Sequence, residues 1–586
     1  MSGSGESSTG DPISPRAVAL GAPRARWWLA SAVVFVSFAL ASAQVWEPAH
    51  DEGVTWTQTF GALDLSPCPA TASRAAAVAY PAIDGRSHRS LGEVVTALVA
   101  DGVHPPAYYL LVNLWASWVG TGRVALSVPA IALGVFSLLA MGWLARALSP
   151  GRASELWAML LLACSPWFVG YSVFARPYGL VLFASLWSTV ALLEMQAARG
   201  TSGTKRLRWR VIFVAVTCLG LYSLYHYIFV LLWQGAALAL LAWQSGESRR
   251  NEFAALFGMA AAVACGFAPW LSSLAVHLSV ASASPYYFAG WVPLGDWPQK
   301  WAHLLLVFGL GEGVYSSYAA ELRLAAAALA LCTLPLALRS LSPASLHTLA
   351  PAARVLWTAA PLLPLSILAS DWLRQTHTLF ISKTTFALLP LLILLALRSW
   401  QEMPRRWVAT VGLSLWVLLC ASATLAAIQT SRRALTSFEV VAEYLRRTDV
   451  ESHHVVLSSA RRGYVIPFLL TLRKAEVRRV QISLAPPRQL AACLDFRLSD
   501  PGSERLTLVD FAVPYEVRSR WPSEELRRGA KTARSLGWHE LGLDPADPEV
   551  GRRARHDRFW QRFVDLPGAP RVLVIASPTK AKYFSE

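Results

Sequence analysis

The chain has 586 residues, of which 54% are hydrophobic and only 15% are charged. This composition excludes an ordinary soluble domain and predicts a polytopic, mostly α-helical membrane protein. The formal net charge of +16 does not predict a nucleic-acid partner, because much of the basic excess lies in short loops between apolar runs, as the positive-inside rule requires.

The N-terminal region predicts a cytoplasmic tail followed by a membrane anchor. Residues 1–26 are rich in Gly, Ser and Pro, which is typical of a disordered tail. Residues 27–45 form an apolar run of about the length that spans a bilayer, roughly 20 residues. Arg16, Arg24 and Arg26 precede this run and should keep the N-terminus in the cytoplasm.

A short acidic motif, His50-Asp51-Glu52, comes directly after the first span. In this topology the two carboxylates reach the outer face of the membrane. Adjacent carboxylates at that depth are costly unless they serve a function, so we interpret Asp51 and Glu52 as the reactive centre of a membrane enzyme. The alternative is that they cap a juxtamembrane helix, since acids favour helix N-termini.

Ten more apolar runs have spanning length, which predicts a bundle of about 11 spans in a transmembrane domain at 27–429. The runs lie near 124–145, 154–171, 177–197, 210–224, 228–243, 253–275, 319–338, 355–370, 384–398 and 407–428. Segment 104–120 is ambiguous. If it spanned, the basic loop 199–210 would face outward, against the positive-inside rule. We therefore predict a helix on the outer surface at 104–120.

This topology creates a large first extracytoplasmic loop at 46–122, with helical stretches near 73–79 and 90–100. A loop of this length is more than a connector. A second outer loop runs over 277–318 and is rich in Tyr, Trp and Gly. The C-terminus is expected on the same side.

After residue 430 the composition predicts a small extracytoplasmic α/β domain at 430–586. Residues 435–447 have the pattern of an amphipathic helix. Short apolar runs predict strands and lie at 454–458, 479–484, 505–512 and 571–576. The domain has no Gly-rich phosphate loop and no Cys/His metal spacing, so we interpret it as an accessory or acceptor-binding domain.

Several polar residues fall at predicted helix ends that face the same side as Asp51. They are His104, Arg176, Tyr178, His226, Arg374 and Lys383. Each has a simpler interpretation: isolated basic residues at span ends commonly snorkel to the interface, and His226 could be structural. Their convergence on one side instead suits a phosphate-bearing substrate held by cations while a carboxylate deprotonates an acceptor.

Three motifs in order carry a resemblance: HDEG at 50–53, HPPAYYLLVNLW at 104–115 and SPWFVGYSVFARPYGLVLF at 165–183. Over roughly residues 27–400 the chain resembles the polytopic C-type (GT-C) glycosyltransferases. It is most similar to the bacterial relatives of protein O-mannosyltransferases and of the lipid A aminoarabinose transferase.

The resemblance implies sugar transfer from a polyprenyl-phosphate-linked donor to a lipid, polysaccharide or protein acceptor outside a bacterial plasma membrane. Asp51 matches the catalytic base and Glu52 its neighbour, while His104, Arg176 and Tyr178 fall in the other two motifs. Lys383 stands where relatives often have an Arg-Tyr pair. It keeps the charge but loses the bidentate fork for the donor phosphate.

One general base is enough for this chemistry, and direct attack at the anomeric carbon inverts its configuration. Some members use a divalent metal, and His50, Asp51 and Glu52 could contribute ligands. No full ligand set is visible, so no cofactor is required in this interpretation.

Two rival functions remain. The first is a transporter or flippase of a lipid-linked intermediate, which should have internal repeats and charges near the midplane of the membrane. The second is a non-catalytic envelope scaffold.

Overall fold

The computed structural model describes residues 24–45, 55–60 without 57, 89–151, 153–199, 203–283, 291–310, 320–433 and five strands between 453 and 576. The described part is helical up to residue 433 and consists of strands after it. Outside it lie most of the predicted tail, the predicted helices at 73–79 and 435–447, and His50, Asp51 and Glu52.

The helices are numbered here in chain order. They are α1 Ala25–Val45, α2 Leu91–Asp101, α3 Ala107–Val119, α4 Arg123–Leu148, α5 Ser154–Cys164, α6 Pro166–Val173, α7 Tyr178–Ala197, α8 Gly203–Leu221, α9 Tyr227–Trp243, α10 Arg249–Phe267, α11 Leu271–Ala283, α12 Trp297–Leu310, α13 Ala320–Ser340, α14 Pro343–His347, α15 Pro351–Ala359, α16 Leu362–Arg374, α17 Ser382–Thr385, α18 Leu389–Gln401 and α19 Arg406–Arg433.

In the described residues, eight helical segments are long and apolar enough to cross a membrane, and the bent pair α5–α6 makes a ninth. The protein is therefore a helical, multi-pass membrane protein. Of the two other predicted spans, α9 is apolar but has only 17 residues, and α8 has 19 residues and begins with a basic stretch. The predicted count of about 11 spans is thus supported for nine.

The span predicted at 154–171 is broken in the structure. Helix α5 ends at Cys164, α6 begins at Pro166, and their axes differ by 59°. Pro166 has no backbone N–H to continue α5, and the residue before a proline is biased towards extended backbone. Ser165 has φ −63° and ψ 119°, and its hydroxyl accepts a hydrogen bond from Phe168 N, so it caps the new helix.

The segment predicted as a helix at 104–120 contains α3, whose 13 residues are about 20 Å long and too short for the bilayer core; its place on the outer surface stays a prediction. The stretch predicted near 90–100 is confirmed as α2. Ser90 and Glu93 form a capping box at its start, which fixes where α2 begins. Gly102 ends it with φ 77°, a left-handed conformation that glycine adopts without strain.

Helix α7 lies at the centre of the bundle, with 89% of its apolar stretch buried, whereas the α10–α11 span and α13 are only 22% and 17% buried. Close packing near the centre depends on glycine. A Cβ at Gly134 of α4 would lie 2.5 Å from the ring of Phe35 in α1, so only glycine lets these two helices approach this closely.

Polar contacts separate two ends of the bundle. At one end, the backbone N–H of Arg24, just before α1, donates to the carboxylate of Glu155. Arg146 at the end of α4 pairs with the same carboxylate at 2.8 Å. At the other end, the Ser127 hydroxyl near the start of α4 donates to Val173 O at the end of α6. Helices α1, α4 and α5–α6 therefore alternate in direction, as spans must.

The four strands predicted in the C-terminal region are present as β1 His453–Ser458, β2 Val480–Ala485, β3 Arg505–Asp510 and β5 Arg571–Ala576. A short strand that was not predicted, β4 His539–Glu540, adds to them. They form one sheet in the order β2-β1-β3-β5-β4. Strands β2, β1 and β3 are parallel, and β5 pairs antiparallel with β3 and β4. Parallel neighbours require crossover connections, but these lie outside the described residues, so the α/β class stays a prediction.

Candidate functional site

A buried arginine marks the end of the bundle where α6 gives way to α7. Arg176 lies in the turn between these helices with 5% of its side chain exposed. Its Nη1 donates to the hydroxyls of Tyr109 at 3.1 Å and Thr55 at 3.5 Å, and its Nη2 lies 2.9 Å from His104 Nε2. Three separate segments of the chain therefore meet at one guanidinium.

The partner of Arg176 defines the tautomer of His104. An arginine has only donors, so the Nε2 atom of His104 must accept the hydrogen bond from Arg176. The ring proton then sits on Nδ1, which lies 2.6 Å from Asp101 Oδ2 and donates to it. We call the chain Asp101–His104–Arg176 the outer relay. A buried cation is thereby linked to a carboxylate through a neutral imidazole.

The carboxylate of Asp101 is ionised in the outer relay. Burial opposes the charged form, but the hydrogen bond from His104 and the positive charge of Arg176 favour it, and the pKa of Asp101 lies below its ordinary value. Its second oxygen accepts a hydrogen bond from Gln58 Nε2 at 2.8 Å. Both oxygens are therefore occupied, and the carboxylate is fixed in orientation.

The segment that follows the acidic motif is anchored beside the outer relay. Thr55 and residues 58–60 are helical, and Thr59 is fully buried. Asn113 of α3 donates to Thr59 O at 3.2 Å and to Arg89 O at 3.0 Å. Arg89 in turn donates to Gln58 O at 3.3 Å. Thr55, Gln58 and Thr59 are thus held between α2, α3 and Arg176.

A second group of charges surrounds His226, which lies in the turn before α9. Burial lowers the pKa of His226 to about 4, and the positive charges of Arg374 and Lys383 add to this, while the nearby Asp371 opposes it. His226 is therefore neutral at pH 7. Arg374 and Lys383 thus lie within electrostatic range of His226, while their role in a common site stays a prediction. Arg374 is exposed, so its charge is available to a ligand.

Asp371 has a structural role within this group. It is 2% exposed and accepts hydrogen bonds from the hydroxyls of Thr376 and Thr378, both at 2.6 Å. The backbone N–H groups of Thr378 and Leu379 donate to it at 2.9 and 2.8 Å. A carboxylate with four donors closes the loop between α16 and α17, and this loop carries the chain from Arg374 to Lys383.

One turn connects the two groups of charges. Tyr222 O accepts a hydrogen bond from Ala107 N at the start of α3. The hydroxyl of Tyr225 lies 2.7 Å from His277 Nδ1 and accepts from Trp270 Nε1 at 2.9 Å. Burial raises the pKa of Tyr225 to about 12, so it stays a neutral phenol. The same turn places His226 towards Arg374 and Lys383.

Tyr178 lies in an aromatic cluster. Its ring stacks on Phe174 at 6.1 Å between centroids and meets Tyr171 edge-on at 5.1 Å. Tyr171 also contacts Phe386, three residues after Lys383 in sequence, at 5.0 Å. The cluster joins the start of α7 to the segment that carries Lys383, and its rings form an apolar wall two residues from Arg176 and three from Lys383 in sequence.

Sequence reasoning did not assign Asp101, Gln58, Tyr109 or His277 to the site. The spacing of Asp101 to His104, three residues, was a readable signal, because residues at that spacing can pair across a helix end.

No group of three or more His, Cys, Asp or Glu that could hold a metal ion occurs in the described part of the chain. The candidate ligands His50, Asp51 and Glu52 lie outside that part, and so does the predicted catalytic base itself. The expectation that no metal is required stays a prediction.

No protein-family model and no curated protein matches the chain. Among solved structures, ArnT from Cupriavidus metallidurans bound to undecaprenyl phosphate is 13% identical, with 94% of this chain and 98% of that chain covered and a TM-score of 0.48. The Archaeoglobus fulgidus oligosaccharyltransferase is 12% identical, with 83% and 70% covered and a TM-score of 0.46.

The arabinofuranosyltransferase AftD from Mycobacteria is 14% identical, with 95% of this chain but 40% of that chain covered and a TM-score of 0.45. The last two proteins carry the names of sugar transferases, the class that the sequence motifs of this chain resemble. Identities this low and TM-scores below 0.5 assign neither family nor activity, so the function has to be argued from the residues of this chain.

Proposed function

We propose that this protein is an inverting glycosyltransferase that moves a sugar from a polyprenyl-phosphate donor to an extracytoplasmic lipid, glycan or protein acceptor, with Asp51 as general base. The observation that carries the proposal is the buried Arg176, held by the outer relay against the segment that begins four residues after Asp51. Four peptide units span at most about 15 Å, so Asp51 lies within that distance of Thr55 along the chain.

The charges of the site suit the donor. A polyprenyl phosphate leaves as an anion, so its departure needs charge stabilisation more than a proton. Arg176 would supply a fixed guanidinium, while Arg374 and Lys383 lie across the turn at 222–226 and would supply further positive charge. Because His226 stays neutral, it would donate or accept a hydrogen bond without repelling these cations. Tyr178 would line the apolar wall on which a sugar or prenyl chain can pack.

The acceptor step needs one base. Asp51 would take the proton from an acceptor hydroxyl as that oxygen attacks the anomeric carbon, the bond from that carbon to the phosphate oxygen would break, and the configuration would invert. Glu52 and His50 would hold the acceptor or the base in place, and His104 would orient Arg176. No metal takes part in this step.

The orientation follows from charge. The arginines at the far end of the bundle, including Arg146, Arg199, Arg206 and Arg398, lie in or beside short loops. Placing them in the cytoplasm satisfies the positive-inside rule and puts the outer relay on the extracytoplasmic side of a bacterial plasma membrane. The N-terminus is then cytoplasmic, and the C-terminal sheet faces the same compartment as Arg176.

The test is sugar transfer from a panel of radiolabelled polyprenyl-phosphate sugars, in membranes with native envelope acceptors. Wild type should consume one donor, and Asp51→Asn should lose roughly 10²- to 10⁴-fold in rate, the usual contribution of a general base. Asp64→Asn, which removes another acid of the same loop, is the matched control and should keep full activity. Equal donor consumption by folded Asp51→Asn and wild type would refute the assignment of the base.

A transporter or a scaffold gives a different result in the same assay. A flippase would move the labelled lipid between leaflets without releasing the polyprenyl phosphate, and a scaffold would leave it unchanged. If wild type consumes no donor when acceptors are supplied, the transferase proposal fails.

A further inference from the structure

The end of the bundle opposite Arg176 carries three arginines around one carboxylate. Arg199 follows α7, Arg206 and Arg210 lie on the first turns of α8, and Glu252 lies on α10. Arg199 Nη2 is 3.0 Å from Glu252 Oε2, and Arg206 Nη2 is 2.5 Å from the same oxygen. Arg210 interacts electrostatically with Glu252 and with both other arginines. Three guanidinium charges minus one carboxylate leave a local excess of two positive charges.

The arginine cluster, Arg199, Arg206 and Arg210, has unused donors. The Nε atoms of all three are buried and make no hydrogen bond within the part of the chain that the structure describes. The guanidiniums are not sealed off, because the side chains of Arg199 and Arg206 are 30% and 19% exposed. Buried donors normally find a partner, and clustered cations repel one another. A second anion beside the arginine cluster would provide an acceptor for these donors and reduce the repulsion between the guanidiniums.

The surroundings of the arginine cluster are those of a membrane interface. Leu207 and Val211 on α8 are 58% and 59% exposed, so the helix presents apolar side chains beside its cations. Trp209 packs edge-on against Trp143 at 6.1 Å. The indole of Trp143 donates to the buried Glu194 at 3.0 Å, so that carboxylate is already engaged. Tryptophans with neighbouring cations are typical of the headgroup level of a bilayer.

We propose that the arginine cluster binds the phosphate of an anionic phospholipid from the surrounding leaflet, with an acyl chain lying along Leu207 and Val211 of α8. Guanidiniums match phosphate oxygens in bidentate geometry, and basic pockets between transmembrane helices on the cytoplasmic side are suited to such headgroups. The bound lipid neutralises the charge excess and joins the ends of α7, α8 and α10. This site is separate from the proposed donor site and independent of sugar transfer.

The experiment measures the melting temperature of the purified full chain in neutral detergent while phosphatidylglycerol is added, with phosphatidylcholine as the neutral probe. Arg206→Gln/Arg210→Gln removes two charges from the arginine cluster. Arg405→Gln/Arg406→Gln removes two exposed charges from the start of α19 and the residue before it, and is the matched control. At roughly 1 kcal/mol for each arginine, the cluster variant should bind phosphatidylglycerol about 30-fold more weakly. The control should match wild type.

A variant that removes the negative charge of the cluster distinguishes a lipid site from a structural ion-pair cluster. Glu252→Gln raises the charge excess from two to three, so its affinity for phosphatidylglycerol should rise about fivefold by the same scale. If the arginines serve only to hold the helices together, Glu252→Gln lowers the melting temperature without any gain in affinity. Should Arg206→Gln/Arg210→Gln not fold, Arg210→Gln alone should weaken binding about fivefold.

Three results overturn the proposal. The first is equal stabilisation by phosphatidylcholine and phosphatidylglycerol. The second is equal loss in the cluster and control variants, which would indicate a diffuse charge effect. The third is full stabilisation by inorganic phosphate alone, which would indicate a phosphate-ion site rather than a lipid site.

Discussion

The outer relay predicts that Asp101 positions Arg176 although it does not contact it. In Asp101→Asn the amide keeps one oxygen acceptor, but Gln58 and His104 both donate to this side chain. One of the two donors therefore loses its acceptor. If His104 loses it, the ring can move its proton to Nε2, which then faces the guanidinium of Arg176 as donor against donor.

The magnitude follows from one charge-assisted hydrogen bond, about 1.5–3 kcal/mol, which corresponds to roughly 10- to 150-fold in rate or affinity. Because the amide retains one acceptor, we expect the lower limit: about tenfold in kcat/KM for the lipid-linked donor in the transfer assay. The loss should appear as weaker donor binding, since Arg176 is the group that is misplaced.

The matched control is Glu93→Gln on the same helix, α2. It removes the same charge, and glutamine still completes the capping box with Ser90. Activity should be unchanged there. If Asp101→Asn and Glu93→Gln have equal donor kinetics, or if Asp101→Asn lowers only the melting temperature, the outer relay does not position Arg176.

Three further predictions concern stability and are measured as melting temperatures of the purified protein. The folded-state pKa of His226 is about 4 against an ordinary 6.5, so the unfolded chain binds a proton first as the pH falls, and the free energy of unfolding should decrease by about 2 kcal/mol between pH 7 and pH 5. His226→Gln should remove this part of the pH dependence. If the melting temperature of His226→Gln depends on pH as steeply as that of wild type, the prediction is wrong. Asp371→Asn deprives buried donors of an acceptor and should lower the free energy of unfolding by about 3 kcal/mol. The exposed Asp296→Asn should not change it. Equal melting temperatures of the two variants would refute the loop-closing role of Asp371. Gly134→Ala places a Cβ against the buried ring of Phe35 and should lower the free energy of unfolding by about 1–3 kcal/mol. The control Gly235→Ala, whose Cβ would have nothing within 4 Å, should leave the stability unchanged or raise it. If Gly235→Ala melts at a lower temperature than Gly134→Ala, α1 and α4 do not pack this closely.

Long apolar runs made the helical part predictable. A span needs about 20 apolar residues to cross the hydrocarbon core, and it must be helical because no water is available to its backbone. Both requirements concern consecutive residues, so they can be recognised in the sequence. The same holds for the short strands: the runs predicted at 454–458 and 571–576 coincide with β1 and β5 to within one residue. Composition did not reveal the break at Ser165–Pro166, although proline at that position is a local signal for it.

The candidate site was predictable in part. The residues that lie at span ends were found by topology, since alternation of the spans places their ends on one side or the other. The prediction that His226, Arg374 and Lys383 share a side follows from this, and in the structure the two cations are close enough to His226 to lower its pKa; their common role in a site stays a prediction. The roles of Asp51, Glu52 and His50 came from motif resemblance and stay predictions.

The amino-acid sequence by itself determined the membrane class, most of the spans, the presence of helix α3 and the positions of four strands, because burial in lipid or in a sheet constrains neighbouring residues directly. Only the tertiary structure decided that His104, held by Asp101, binds Arg176, which lies 72 residues beyond it. It alone also decided that Arg199 and Arg206 share the carboxylate of Glu252, with Arg210 close enough to interact electrostatically. Such contacts depend on which helices pack together and at what height, and no local pattern of residues encodes either.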